Sequence, residues 1–170
     1  NLQPQPYILS LGNLEPRKNI ETLIAAFADL IARRPDLPHH LVLAGKGNCP
    51  SPQPSPLLDK EGDHRGGRIH CVGYVPEEKK QSLYAGASAF VYPSWYEGFG
   101  LPPLEAMAAG VPIVASHAAS LSETLGDAAL LFDPFHPKQL SCALEAVLTD
   151  ETLRQSLGSR GRVRAAEFRW

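Results

Sequence analysis

Short, continuously apolar segments alternate along this chain with longer segments of helical periodicity, and this alternation restricts the fold more than any other feature. The apolar segments predict six strands, at 7–12, 40–45, 68–75, 89–94, 111–116 and 128–134. The remaining segments predict helices at 19–34, at 77–87, from the prolines at 102–103 to about 109, at 137–150 and at 151–168. Strands that are apolar on both faces are typical of a parallel sheet with helices on both sides. We therefore predict an α/β fold, a Rossmann-like doubly wound parallel sheet of six strands with helices on both faces.

Residues 48–67 interrupt the alternation. They read NCPSPQPSPLLDKEGDHRGG, with four prolines, three glycines and no periodicity. Proline removes an amide donor and clashes with the preceding turn, so this segment cannot form the crossover helix expected there. We predict a disordered insertion, and a polyproline segment that binds a partner is the alternative. The chain of 170 residues has the length of a single domain, and we expect 1–170 to be one domain of a longer protein.

The charge and the cysteines limit the partners and the compartment. A formal net charge of −2 speaks against nucleic acid, because such a partner requires a basic excess. Cys49, Cys71 and Cys142 lack the spacing of a zinc site, and we expect three reduced thiols, two of them in the core, in a cytoplasmic protein. No apolar segment reaches the length of a membrane span, and we leave peripheral membrane contact open. The histidines form no cluster in the sequence, so we expect no metal.

The segment SWYEGFGLPPLEAMAAG, residues 94–110, is the first candidate for chemistry. Adjacent prolines suit the start of a helix, which places Glu105 in its first turn and Glu97 on the loop before it. A glycine-rich turn before a helix N-terminus is an anion site, and phosphate is its usual ligand. Carboxylates repel phosphate but accept hydrogen bonds from hydroxyl groups. Diphosphate with a hydroxylated ring on either side, as in a nucleotide sugar, fits this layout. A helix-dipole acid at Glu105 and a solvated acid at Glu97 are the alternatives.

The loop after the first predicted strand supplies positive charge. It reads GNLEPRKN, residues 12–19, and places Arg17 and Lys18 at the start of the next helix. Arginine binds phosphate oxygens in a fork and lysine acts as a point charge. Since ligands bind where the strands of such sheets end, we predict that both cations face a diphosphate. Solvated turn residues are the alternative. Only Gly12 of the G-x-G-x-x-G pattern is present, which argues against a dinucleotide dehydrogenase.

The third predicted strand ends in GYVP, residues 73–76. Tyr74 and Val75 offer apolar faces that could hold a flat base, and a plain turn into the next helix is the alternative. Lys46, in the glycine-rich AGKG at the end of the second strand, could face a phosphate.

These motifs together resemble a known family. The run EGFGLPPLEAMAAGVPIVAS is similar to the signature of the retaining GT-B glycosyltransferases of family 4. The segments SLGNLEPRKNIETLIAAF, GYVPEE, LYAGASAFVYPSWYEGFG, GDAALLFDP and FRW match the same family in order. The resemblance covers nearly the whole chain apart from residues 48–67. One departure is Asn13, where many members have arginine.

The resemblance implies the carboxyl-terminal, donor-binding lobe of a two-lobed enzyme, with the amino-terminal acceptor lobe absent from this chain. It implies that Glu97 faces the donor sugar as the catalytic carboxylate and that Glu105 binds the ribose. It assigns the diphosphate to five residues: Arg17, Lys18, Phe99, Gly100 and Leu101. The base would lie at Tyr74 and Val75.

The resemblance also implies a donor and an acceptor. The LEPRKN form is similar to bacterial members that transfer mannose, so GDP-mannose is the first expected donor. The acceptor would be a saccharide or a lipid-linked saccharide, and no cofactor or bound metal is implied. This chain alone would bind nucleotide without turnover. Three alternatives remain: a non-catalytic nucleotide-binding module, a GT-B epimerase or hydrolase, and an interaction domain centred on residues 48–67.

Overall fold

The structure is a computed structural model, and it describes residues 5–49, 67–118 and 120–168. The strands are β1 Tyr7–Leu11, β2 His40–Ala44, β3 Ile69–Gly73, β4 Ala87–Tyr92, β5 Ile113–Ser116 and β6 Ala129–Phe132. The helices are α1 Ile20–Arg33, α2 Glu77–Ala85, α3 Leu101–Ala108, α4 Leu121–Leu125, α5 Pro137–Thr149 and α6 Glu151–Ala166. Two 3₁₀ turns, Pro16–Lys18 and Gly126–Ala128, precede α1 and β6.

All six strands are parallel and lie in the order β3-β2-β1-β4-β5-β6. Ile8 of β1 pairs with Leu41 on one side and with Ala89 on the other. The strand order reverses between β1 and β4, which is where open α/β sheets form their ligand crevice.

Adjacent residues on the central strands point into two different cores, because successive side chains of a strand face opposite sides of the sheet. Ile8 and Val91 pack with side chains of α1 and α5, whereas Leu9 and Phe90 pack with side chains of α2, α3 and α4. Helices therefore cover both faces, and the predicted doubly wound sheet is confirmed.

Three details differ from the sequence prediction. Helix α4 was not expected, because five residues are too few to show a helical period. Helix α3 begins at Leu101 instead of Pro102. A buried strand was expected at β3, but its side chains are partly or fully exposed, because β3 lies at the edge of the sheet. The prediction of a disordered insertion at 48–67 concerns residues 50–66, which lie outside the described residues.

The cysteine prediction is wrong. The structure joins Cys49 and Cys71 in a disulfide, with their Cα atoms 6.3 Å apart. The pairing of β2 with β3 explains this proximity, since Leu43 of β2 lies opposite Cys71 and Cys49 follows shortly after β2 ends. Cys142 is a free thiol and is exposed, and the disulfide-bonded Cys71 is exposed as well, so neither of these two cysteines lies in the core.

Candidate functional site

Two loops meet at the carboxyl edge of the sheet where the strand order reverses. One follows β1 and leads to α1 on one face, and the other follows β4 and leads to α3 on the opposite face. A backbone hydrogen bond joins them, in which the Trp95 amide donates to the Arg17 carbonyl at 2.9 Å. Pro16 begins the 3₁₀ turn of the first loop, and Asn19 ends it with a left-handed φ of 53°. The turn therefore holds both cations against the loop after β4.

Glu97 lies at the centre of the contact between these loops. Lys18 Nζ donates to Glu97 Oε1 at 2.5 Å and to the Tyr92 hydroxyl at 2.5 Å, and Arg17 Nη1 donates to the same Glu97 oxygen at 3.2 Å. Lys18 and Glu97 are each only 7% exposed. Burial raises the pKa of the Glu97 carboxyl, but the hydrogen bond from Lys18 and the charges of Lys18 and Arg17 outweigh burial and lower the pKa below 4.5.

Both cations of the site have carboxylate partners. Arg17 Nε donates to Glu15 Oε2 at 2.9 Å, while Lys18 pairs with Glu97. Two cations and two carboxylates leave the cluster close to neutral. An anion bound here would meet the remaining N–H groups of Arg17 and Lys18 and, beside them, backbone amides.

Those amides belong to the start of α3. Gly100 caps the helix with a φ of 90°, and a Cβ at this position would lie 2.7 Å from Leu121 Cδ2, so both the conformation and the space favour glycine. The residues at 102 and 103 are prolines and have no N–H. The amides of Gly100 and Leu101 are therefore the donors that the helix start presents, and no hydrogen bond from either is seen within the described part of the chain.

Phe99, the third residue predicted to line the diphosphate, also lies on this loop. Its ring packs edge to face against Phe168, with 5.7 Å between the ring centroids. The end of the chain therefore supports the loop that precedes α3.

Glu105 lies deeper in α3 than predicted. Because α3 begins at Leu101, Glu105 is the fifth residue of the helix and belongs to its second turn, so the prediction of a first-turn acid is wrong. Its carboxylate Oε2 accepts a hydrogen bond of 2.8 Å from the Tyr84 hydroxyl, and Oε1 lies 3.9 Å from Lys80 Nζ. These groups line a cavity of about 370 Å³ between α2 and α3.

Tyr74 and Val75 follow β3 at the same edge of the sheet. The Gly45 amide donates to the Gly73 carbonyl at 2.7 Å, which ties the end of β3 to that of β2. Tyr74 is exposed, with Lys46 Nζ 4.9 Å from its ring centroid, and Val75 packs against the core below α2 and α3. Tyr74 is thus largely exposed at this edge, with Lys46 over its ring.

The structure unites only some of the predicted site residues. Arg17, Lys18 and Glu97 touch one another. In the ranges that the structure describes, no hydrogen bond or ion pair links these three to Glu105 or to Tyr74.

Four neighbours of the site were not predicted from the sequence: Tyr84, Lys80, Tyr92 and Ser120. The Ser120 hydroxyl donates to the Glu97 carbonyl at 3.0 Å and so holds the loop from the side of α4. Tyr92 ends β4, and its place at the strand end was a usable signal. Lys80 and Tyr84 are four residues apart, on one face of α2, but only the packing of α2 beside α3 directs them to Glu105.

A metal site and a membrane-spanning helix are two further features to consider in the described residues. Within residues 5–49, 67–118 and 120–168, no group of three or more His, Cys, Asp or Glu side chains is arranged to hold a metal ion. None of the helices in these ranges is long and apolar enough to cross a membrane.

Comparisons with known proteins agree on one family. The sequence model described as Glycosyl transferases group 1 matches residues 2–164. The chain is 41% identical to the O-antigen chain mannosyltransferase B of Escherichia coli, a match that covers 98% of this chain and 43% of that protein. It is 34% identical to the serotype-specific mannosyltransferase WbdA of Escherichia coli, covering 98% of this chain and 20% of that protein.

Among solved structures, sucrose-phosphate synthase from Thermosynechococcus elongatus is similar at a TM-score of 0.79 and 32% identity, over 98% of this chain and 42% of that one. The chain thus spans less than half the length of these relatives.

Proposed function

The chain belongs to the group 1 glycosyl transferases, and from this premise we propose that it is the donor-binding lobe of a retaining GT-B hexosyltransferase. The complete enzyme would move a hexose from a nucleoside diphosphate sugar to a saccharide or lipid-linked acceptor. The acceptor would bind chiefly to an amino-terminal lobe that this chain does not include. This chain alone would then bind nucleotide and would not turn over.

One observation carries the proposal: the cationic turn after β1 and the loop into α3 meet at the point where the strand order reverses. Lys18 and Arg17 contact Glu97 there, and the start of α3 presents its amides on the same loop. The chain as a whole carries a net charge of −2, so its overall charge does not attract an anion. A diphosphate therefore requires positive charge and backbone donors at the binding site itself.

Each part of the donor has a proposed partner. Arg17, Lys18 and the amides of residues 99–101 bind the diphosphate and stabilise the charge that develops on it as the sugar departs. Glu97 accepts hydrogen bonds from hydroxyl groups of the transferred sugar.

The other half of the donor would lie along α3 and β3. Glu105 accepts hydrogen bonds from the ribose hydroxyls, and the base lies against Tyr74 and Val75. The proposed roles need no metal, since the cations and the amides act on the diphosphate directly.

Mannose is the proposed sugar and GDP-mannose the proposed donor. The support is that both Escherichia coli relatives described above are named mannosyltransferases, one of them for the O-antigen chain. Synthesis of a bacterial polysaccharide is the corresponding proposed role. The enzyme would work in the cytoplasm, with contact to a membrane where a lipid-linked acceptor requires it.

The test is calorimetric titration of this chain with GDP-mannose and with GDP. We expect GDP-mannose to bind more tightly, because only it offers sugar hydroxyls to Glu97. Glu97→Gln should abolish the difference between the two ligands. UDP- and ADP-sugars, titrated in parallel, test the base.

Glu145→Gln is the matched control. Glu145 also pairs with two arginines, Arg33 and Arg34, but between α1 and α5. This variant should retain the preference for GDP-mannose. Equal affinity of the unmodified chain for GDP and GDP-mannose would favour a non-catalytic nucleotide-binding module. Absence of nucleotide binding would refute the proposed function.

A further inference from the structure

We propose that Tyr84 is a positioning residue for nucleotide recognition: its hydroxyl fixes one oxygen of the Glu105 carboxylate so that the other faces the ribose hydroxyls of the donor. The inference rests on the proposed function, because it assumes that a nucleotide binds beside α3.

The geometry of this pair is specific. Tyr84 lies on α2 and is only 2% exposed, and its ring packs edge to face on Phe90 of β4 with 5.5 Å between the centroids. Its hydroxyl donates to Glu105 Oε2 at 2.8 Å. A rigid, buried aromatic ring therefore carries the donor, so the position of the hydroxyl is determined by the core.

Glu105 depends on this donor because little else holds its carboxylate. The side chain is 39% exposed and lines the cavity between α2 and α3. Lys80 Nζ lies 3.9 Å from Oε1, beyond hydrogen-bond distance, and makes its closer ion pair with Glu77 at 2.7 Å. Without Tyr84, the flexible glutamate would occupy several rotamers in solvent.

The chemistry of the pair leaves one oxygen for a ligand. An ionised carboxylate only accepts hydrogen bonds, and Tyr84 occupies Oε2. Burial, together with the hydrogen bond to Glu105, raises the pKa of the Tyr84 hydroxyl, so this group stays a neutral donor at physiological pH. Glu105 lines the cavity, and among the described residues its Oε1 accepts no hydrogen bond, with Lys80 Nζ at 3.9 Å. Hydroxyl groups are natural donors to such an oxygen.

Tyr7 provides a matched control in the same region. Its hydroxyl donates to the Leu83 carbonyl of α2 at 2.7 Å, and in the described part of the chain it has no hydrogen bond to Glu105. Tyr7→Phe removes a hydroxyl group that bonds to α2, and Tyr84→Phe removes one that α2 itself carries. An effect on nucleotide binding that acts through Glu105 should appear only in Tyr84→Phe.

The test is titration of GDP, 2′-deoxy-GDP and 3′-deoxy-GDP into the chain and its variants. The unmodified chain should prefer GDP over at least one deoxy analogue by about tenfold, the size of a hydrogen bond to a charged group. Tyr84→Phe should reduce this preference to about threefold or less, because it lowers the affinity for GDP and leaves the affinity for the deoxy analogue unchanged. Tyr7→Phe should leave the preference unchanged.

A double-mutant cycle separates positioning from a purely structural role. In a Glu105→Gln background, Tyr84→Phe should have no further effect on the preference for ribose, because the carboxylate through which it acts is gone. Tyr84→Met serves as a second hydroxyl-free variant if the phenylalanine destabilises the chain. An unchanged preference in a folded Tyr84 variant overturns the inference.

The outcome for the unmodified chain distinguishes the two proposals. If the chain binds GDP but does not distinguish it from either deoxy analogue, the role of Tyr84 is refuted while nucleotide binding stands. If the chain does not bind GDP, the proposed function itself fails, and the inference fails with it.

Discussion

Replacing Glu97 by glutamine should lower the free energy of unfolding by about 3 kcal/mol at pH 7, because it removes the charge that pairs with a buried lysine. Lys18 and Glu97 side chains are each 9% exposed, and the carboxylate accepts hydrogen bonds from Lys18 at 2.5 Å and Arg17 at 3.2 Å. Removing one partner of a buried ion pair costs about 3–5 kcal/mol. Glutamine keeps the volume and one acceptor oxygen, so the lower end of this range applies.

The loss should depend on pH in one direction. The pKa of the Glu97 carboxyl is lowered from 4.5 in the folded protein, since Lys18 and Arg17 outweigh the effect of burial. A group with a depressed folded pKa stabilises the protein fully above its unfolded pKa, and this contribution disappears as the pH falls through the folded pKa. The difference in unfolding free energy between the native chain and Glu97→Gln should thus be complete at pH 7 and shrink below about pH 4.5.

Urea denaturation followed by circular dichroism, repeated from pH 7 down to pH 3, measures this difference. Glu145→Gln is again the control, because Glu145 and its two arginines are considerably more exposed than Glu97 and Lys18. Losing the ion pairs of Glu145 should lower the free energy of unfolding by under about 1 kcal/mol. Equal stability of the native chain and Glu97→Gln at pH 7 would refute the reasoning. A difference that stays constant down to pH 3 would show that the charge of Glu97 is not its cause.

Three further substitutions test separate parts of the structure. Arg17→Ala should weaken GDP binding by about tenfold and change stability by less than about 0.5 kcal/mol, because the side chain is half exposed; calorimetry showing unchanged affinity would remove Arg17 from the diphosphate site. Gly100→Ala should cost about 1–3 kcal/mol of stability, because the residue has a φ of 90° and the added Cβ would contact Leu121. Gly98→Ala should be tolerated, because its added Cβ meets nothing within 4 Å. Urea titration compares the two variants, and equal costs would contradict the strain argument. Asp150→Ala should cost about 1 kcal/mol, because Asp150 Oδ1 caps α6, and an unchanged melting temperature would contradict this.

The sheet was predictable from the sequence because its strands other than β3 are mainly apolar on both faces, and such segments are typical of the interior of an α/β sheet. The location of the two site loops at one edge also followed, since all loops that leave the carboxyl ends of parallel strands lie there. The strand order has no local signal, however. The adjacency of β1 and β4, which brings Lys18 to Glu97 across 79 positions of sequence, is a result of the whole fold.

The errors in the site prediction have a common physical source. The number of residues between Glu97 and Glu105 fixes their spacing along the chain, but α3 begins directly after the left-handed backbone of Gly100, and no helical period in the sequence shows where that is. The hydrogen bond from Tyr84 to Glu105 and the disulfide between Cys49 and Cys71 likewise require elements that meet only after folding. A tyrosine in an apolar stripe is more often a core residue, and its hydroxyl partner cannot be found from periodicity.

The position of Glu97 suits its carboxylate for two roles: pairing with Lys18 and, under the proposed function, accepting hydrogen bonds from sugar hydroxyls. In the structure this carboxylate neutralises Lys18, which is buried and would otherwise be an unpaired charge. Under the proposed function, an incoming diphosphate supplies the negative charge that Lys18 and Arg17 require, and the carboxylate can then turn its lone pairs to sugar hydroxyls. A ligand with phosphates but no sugar satisfies the cations and leaves buried Glu97 without hydroxyl donors. Preference for the complete donor over the free nucleotide would therefore follow from the same ion pair that stabilises the folded site.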